Sequence, residues 1–350
     1  MNQKTSERSV QMDLLRIAAC IMVIVMHVVA DGIYVIDVRS VQWTVLTVYS
    51  NLCRGAVPAF FMLSGMFSRG KDWKRALKKA GMYLLIYAAW TVLYHVAGVY
   101  GPHFLNGAEI SVTWASFLDG LRTPKYHLWF IPAFAGVTLL APAVNALAEY
   151  RSRLIDDLAV LFAAGTLGVR TLELIFDRCP EVLKWLDVLP DFSMGYIGMY
   201  IVGRWMCEHR AWLQKRQWMV YLLGLLSMIA VFTGTRSASF AAGQMSDLFY
   251  DHFDLFITLE AMAWITLFWQ FRIPSRLHGA VSWLAGNTLF IYLIHVLVID
   301  AITWRGIYAY KLHWLLGVPI KTAAVFAICC ILCAIREGLK KAWHMCAGKR

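Results

Sequence analysis

Arg16 and His27 stand eleven residues apart within the first long apolar stretch of the chain. At about 100° per residue, that spacing is three helical turns plus roughly 20°, so a helix puts both side chains on one face. They then lie on the order of 16 Å apart along the axis, roughly half the hydrocarbon thickness of a bilayer. A guanidinium is a permanent cation suited to phosphates and carboxylates, whereas a neutral imidazole can take a proton from a hydroxyl near neutral pH. Both residue types are costly in lipid unless they face protein or water. One stripe carrying an anion-holding group and a proton acceptor is therefore the first candidate for chemistry.

The elements that must position this pair are membrane helices. Hydrophobic residues make up 59% of the 350 residues and charged residues only 16%, well below the quarter usual in soluble domains. Mean hydropathy is +0.57. The chain reads as all-α, a polytopic helix bundle forming a single integral-membrane domain over residues 1–350. Ten spans are expected, at about 14–35, 44–67, 80–100, 128–148, 155–175, 192–208, 217–234, 250–270, 281–303 and 313–335. The net charge of +11 would suggest nucleic acid in a soluble protein. Here the basic residues cluster between apolar segments, where they set orientation and meet lipid headgroups, so no nucleic-acid partner is expected.

These clusters alternate. Arg69, Lys71, Lys74, Arg75, Lys78 and Lys79 follow the second span, and Arg336, Lys340, Lys341, Lys349 and Arg350 follow the tenth. Lys4, Arg8, Arg151, Arg153, Arg210, Lys215, Arg216, Arg272 and Arg276 fall on the same side, whereas Arg39, Arg122, Lys125, Arg178, Lys184, Arg236, Arg305 and Lys311 are spread over the other. The positive-inside rule then places both termini in the cytoplasm. The N-terminal apolar stretch, about 20 residues with no clean small-residue cleavage site, reads as a span and not as a removable signal.

Orientation gives depth to the other polar groups. Arg16 lies one turn inside the cytoplasmic end of the first span and His27 near the middle or beyond. Arg54 falls about ten residues from the external surface in the second span, His295 about fourteen residues from the cytoplasmic end of the ninth, and His127 opens the fourth span on the external side. Four such groups thus converge in the outer half of one bundle, where an apolar core does not require them.

Plainer readings stand beside these. A lone intramembrane histidine often only bonds a neighbouring helix, and His95 is read that way. Arg16 in isolation would snorkel to headgroups, and Lys321 would pair or snorkel. Glu260 is either the partner of a buried cation or a sign that the eighth span lines a cavity. Gly55-Ala56-Val57-Pro58, followed by Ser64-Gly65, marks a bent helix whose freed backbone groups need partners. Cys330 and Cys333 form a CxxC, but neighbours on a buried helix make neither a zinc site nor a disulfide framework, and no metal is expected.

In sequence order, Met12-Asp13-Leu14-Leu15-Arg16-Ile17-Ala18 and then His27 resemble the first-helix signature of the acyltransferase-3 family, an arginine and a histidine with ten residues between them. Arg54-Gly55-Ala56-Val57-Pro58-Ala59-Phe60-Phe61-Met62-Leu63-Ser64-Gly65 is similar to the second-helix motif of that family. His127-Leu128-Trp129-Phe130 resembles its aromatic motif after a long external loop, and Thr288-Leu289-Phe290-Ile291-Tyr292-Leu293-Ile294-His295 its late helix ending in histidine. The motifs appear in register over residues 12–295.

The resemblance implies ten helices in a bacterial cytoplasmic membrane. It also implies transfer of a small acyl group, commonly acetyl or succinyl, from an acyl-CoA thioester to a hydroxyl of an envelope saccharide or a lipid-linked acceptor. By the same resemblance His27 is the catalytic base or acyl relay and Arg16 holds the donor. Arg54, His127 and His295 complete the catalytic set, with Arg54 or His127 facing the oxyanion. The competing reading is a small-molecule, amino-acid-like transporter with the same architecture, since a polar midplane cluster would serve a translocation path equally. A purely structural subunit leaves the deep Arg54 and the aligned Arg16–His27 pair unexplained.

Overall fold

The computed structural model describes residues 9–110, 113–175 and 195–347, and every regular element among them is helical. The first third of the chain forms α1 (Val10–Ile33), α2 (Val41–Asn51), α3 (Ala56–Phe67) and the long α4 (Trp73–Asn106). A short α5 (Trp114–Gly120) and a 3₁₀ turn (Tyr126–Trp129) lead into α6 (Phe130–Tyr150). Next, α7 (Arg153–Phe162) and α8 (Val169–Ile175) flank a π-helical turn, and α9 (Gly195–Glu208) and α10 (Arg210–Lys215) follow. The remainder is α11 (Gln217–Ala242), α12 (Leu255–Phe268), α13 (His278–Trp304), α14 (Ala309–Leu312) and α15 (Gly317–Ala347).

Among the described residues, 6 helices are long and apolar enough to cross a membrane: α1, α4, the 3₁₀ turn with α6, α11, α13 and α15. The other expected spans take different forms. The 44–67 stretch is broken into α2 and α3, and 155–175 is α7 and α8 about the π turn. The 250–270 stretch contracts to α12, because Asp254 caps its N-terminus by accepting from Phe256 N at 2.9 Å. The described part of 192–208 is α9. Its first residues lie outside the described residues, as do Lys4, Arg8, Arg178, Lys184, Lys349 and Arg350.

Packing follows from small residues where backbones meet. α3 and α9 approach so closely that a Cβ on Gly65 would overlap the Tyr200 carbonyl, and one on Gly203 would overlap that of Met62. Only glycine fits at either position. Two apolar clusters flank α1: Met12, Leu15, Ala19 and Val23 enter one, and Cys20, Ile24, Val28 and Val29 the other. Phe60 of α3 packs against both. The α1–α2 hairpin is closed by Trp43, whose backbone N–H donates to the Ser40 hydroxyl at 3.0 Å and whose indole N–H donates to the Ile33 carbonyl at 3.0 Å.

The break between α2 and α3 has an identifiable holder. Gly55 N–H, freed by the interruption, donates to Glu260 Oε1 of α12 at 3.0 Å, and Trp264 Nε1 reaches the same oxygen at 3.4 Å. Of the two sequence readings of Glu260, partner of a cation or liner of a cavity, neither describes this contact: the carboxylate serves a backbone donor. Lys321 pairs with Asp31 at 2.5 Å and also donates to Thr303 Oγ1 and the Ile307 carbonyl, which satisfies all three ammonium protons. It thus ties α15 to α1 and α13.

Candidate functional site

Three histidines from three elements meet. The His27 ring of α1 lies 5.2 Å from that of His295 on α13 and 6.1 Å from that of His127 in the 3₁₀ turn, and His127 and His295 are 5.4 Å apart, all between centroids. His127 and His295 are buried within the bundle and not turned to lipid. The turn that carries His127 is fixed from both ends. Its backbone carbonyl accepts from the Tyr292 hydroxyl of α13, and the preceding Lys125 pairs with Asp300 of α13 at 2.6 Å. Pro132 in the first turn of α6 costs no helical hydrogen bond there.

On α13, the Tyr94 hydroxyl bridges the Leu293 carbonyl (2.7 Å) and the Leu297 N–H (3.1 Å), one turn apart and on either side of His295. His295 Nδ1 lies 2.6 Å from the Tyr292 carbonyl, which can only accept, so Nδ1 carries the proton and Nε2 is left with its lone pair. Among the described residues neither His295 Nε2 nor either ring nitrogen of His127 has a hydrogen-bond partner. Buried ring nitrogens of this kind are rare unless a ligand or water serves them.

Arg54 sits in the α2–α3 break. Its guanidinium donates to Ser50 Oγ at 2.5 Å and stacks 3.3 Å from the centre of the Tyr250 ring. Those contacts hold it against a cavity of about 390 Å³ that also receives His27, His127, Tyr126, Trp129 and His252. His252 lies in the connection ahead of α12, where burial, and then the nearby Arg54 charge, push its imidazole down to about 4. At the same cavity, the Tyr34 hydroxyl donates to Asp247 at 3.0 Å, and burial followed by that carboxylate raises it to about 12.

Arg16 faces a second cavity, of about 460 Å³, together with Lys79, Ser64 and Ser68. It does not snorkel away: its guanidinium pairs with the buried Asp13 at 3.0 Å and lies 5.5 Å from the Phe67 ring centre. The two cavities share three wall residues, Phe60, Phe130 and Tyr292. Arg16 and His27 therefore face two adjoining chambers, a 390 Å³ one and a 460 Å³ one, on either side of an aromatic wall.

Of the residues singled out in the sequence, His27, Arg54, His127 and His295 come together, and Arg16 stands apart in the adjoining cavity. His95 packs on Phe117 of α5 at 4.6 Å, away from the site. Among the described residues no group of histidine, cysteine and carboxylate side chains could hold a metal ion. The sequence reading missed His252 and gave no role to Tyr126 or Tyr292. The only signal for His252 was its place two residues before Asp254, where the apolar pattern falters. Tyr292 stood inside a quoted motif but looked like one more core aromatic.

A family model described as an acyltransferase domain matches residues 9–334. No curated protein and no solved structure matches this chain.

Proposed function

Because the chain belongs to the acyltransferase-3 family, its matched domain covering nearly all of its length, we propose that it moves a small acyl group from acyl-CoA to a hydroxyl of an envelope saccharide or lipid-linked acceptor. The observation that carries this reading is the pair of adjoining cavities, one lined by Arg16 and Lys79 and the other by Arg54 with the imidazoles of His27, His127 and His252, with His295 packed 5.2 Å behind His27. The Arg16 cavity receives the phosphate-bearing donor, for which Arg16 and Lys79 supply charge-assisted hydrogen bonds. By the positive-inside argument this cavity faces the cytoplasm, where acyl thioesters are made. The His27 cavity faces outward and holds the acceptor.

In the transfer, the acceptor oxygen attacks the thioester carbonyl carbon while His27 takes the hydroxyl proton. The tetrahedral oxyanion is met by Arg54 or by an N–H of His127. Collapse of that intermediate breaks the C–S bond, and the proton held on His27 passes to the departing thiolate. The products are the acylated acceptor and coenzyme A. A relay through acyl-His27 gives the same products, and a mass increment on the protein incubated with donor alone distinguishes it.

Mass spectrometry of envelope glycans from cells with and without the gene tests the proposal. Loss of an acyl mark in the deletion, restored by the wild-type chain and not by His27→Ala, supports it. An unchanged envelope with altered uptake of a small solute overturns it in favour of transport.

A further inference from the structure

Arg16 and His27 share a helix but not a cavity, and the wall between their cavities is made of Phe60 from α3, Phe130 from α6 and Tyr292 from α13. The Phe60 and Phe130 rings are 6.0 Å apart and those of Phe130 and Tyr292 5.1 Å, so the three form one continuous aromatic contact. Their freedom differs. Tyr292 is held by the bond from its hydroxyl to the His127 carbonyl, and Phe130 stacks on Phe134 and packs on Phe61. Phe60 has a single ring partner in this wall, is only partly buried, and bridges the two apolar clusters without belonging to the interior of either.

We propose that Phe60 is the movable member of a partition that a donor must thread, and that its bulk limits the acyl group delivered to His27. This rests on the reading that the donor's charged end sits at Arg16 and its acyl end at His27. The thin, unbranched arm of a thioester donor slips past a displaced phenyl ring, while a branched or long acyl group at its tip does not. The same ring keeps the two cavities from joining when no donor is threaded. Phe60 is thus a specificity-determining residue: it makes no bond to the reacting atoms and acts by occupying the passage.

The test has two independent arms. In the first, Ala30→Cys places a thiol in the His27 cavity alone. A membrane-impermeant maleimide is added from the side that the Arg16 cavity faces, in vesicles of uniform orientation, and labelling at position 30 is read by peptide mass spectrometry. Labelling is expected to be slow with Phe60 present and to accelerate about tenfold or more with Phe60→Ala, an effect the size of removing a few methylenes from a fitted pocket. Equal rates overturn the partition, whatever the protein's activity. In the second arm, isobutyryl-CoA and acetyl-CoA compete as donors. The isobutyryl-to-acetyl product ratio is expected to rise with Phe60→Ala and, by a smaller step, with Phe60→Leu, the variant to use if the alanine form does not fold. An unchanged ratio overturns the selectivity role. If the wild-type chain transfers neither group while labelling still depends on Phe60, the partition stands and the acyl-CoA reading falls.

Discussion

At the scale of single residues, the division of labour proposed for Arg16 and His27 has opposite kinetic consequences. Removing the imidazole in His27→Ala should lower product formation by about a hundredfold to ten-thousandfold, the usual worth of a general base, while the protein inserts normally and still binds donor. Arg16→Ala should instead raise the donor concentration needed for half-maximal rate on the order of tenfold, as expected for a lost charge-assisted contact, with a smaller change in the limiting rate. Steady-state kinetics on reconstituted protein separates the two, and a purely lowered limiting rate for Arg16→Ala would refute its donor role. A third expectation concerns acid. The His252 imidazole titrates near 6.5 in an unfolded chain and at about 4 in the folded one, so the unfolded state binds more protons between these values. Stability contributed by neutral His252 is complete above about 6.5 and is lost as pH falls toward 4. Thermal melting in detergent should therefore drop over that window, and His252→Gln should flatten the drop. The Arg16–His27 alignment was legible in the sequence because helical spacing is local. The approach of His127 and His295 to within 6.1 Å of His27 was only bounded by depth, since lateral position depends on which helices are neighbours.

At the scale of elements, the break between α2 and α3 sets where Arg54 points. Gly55 and Pro58 announced a bend, but the stabilising partner lay about two hundred residues on, in a glutamate whose receptor was a backbone N–H, which no side-chain pattern reveals. The contact implies a clear ordering of variants. Glu260→Ala leaves the Gly55 N–H buried without an acceptor and should cost about 1–3 kcal/mol of stability together with most of the limiting rate. Glu260→Gln retains a carbonyl oxygen for the same bond and should recover most of both. If the glutamine variant behaved like the alanine one, the carboxylate charge and not the hydrogen bond would be the operative feature. Asp254 and Lys321 teach a related lesson. Both are charges in apolar sequence that the fold satisfies, the first as a helix cap and the second, as expected of a pairing lysine, as an ammonium with three acceptors.

At the scale of the whole molecule, we propose from charge asymmetry that both ends of the chain lie on the same side of the membrane. Reporter domains fused at either terminus should both be active on the cytoplasmic face, and activity of both on the external face would reverse the assignment of the two cavities to donor and acceptor. Apolar runs made the membrane class and the long helices legible. They overstated the regularity of the interior, because burial between helices tolerates broken and short elements that lipid does not. That difference carries a consequence for biogenesis. α3 and α12, with 12 and 14 residues, are each too short to hold a position across a bilayer alone, yet they meet at the break that carries Arg54. The six long helices can insert one by one as the chain emerges, whereas these two find a stable address only after the long helices around them are in place. The candidate site is accordingly the last part to assemble, and a chain arrested one step earlier would be fully integrated, protease-resistant along its long helices, and inert.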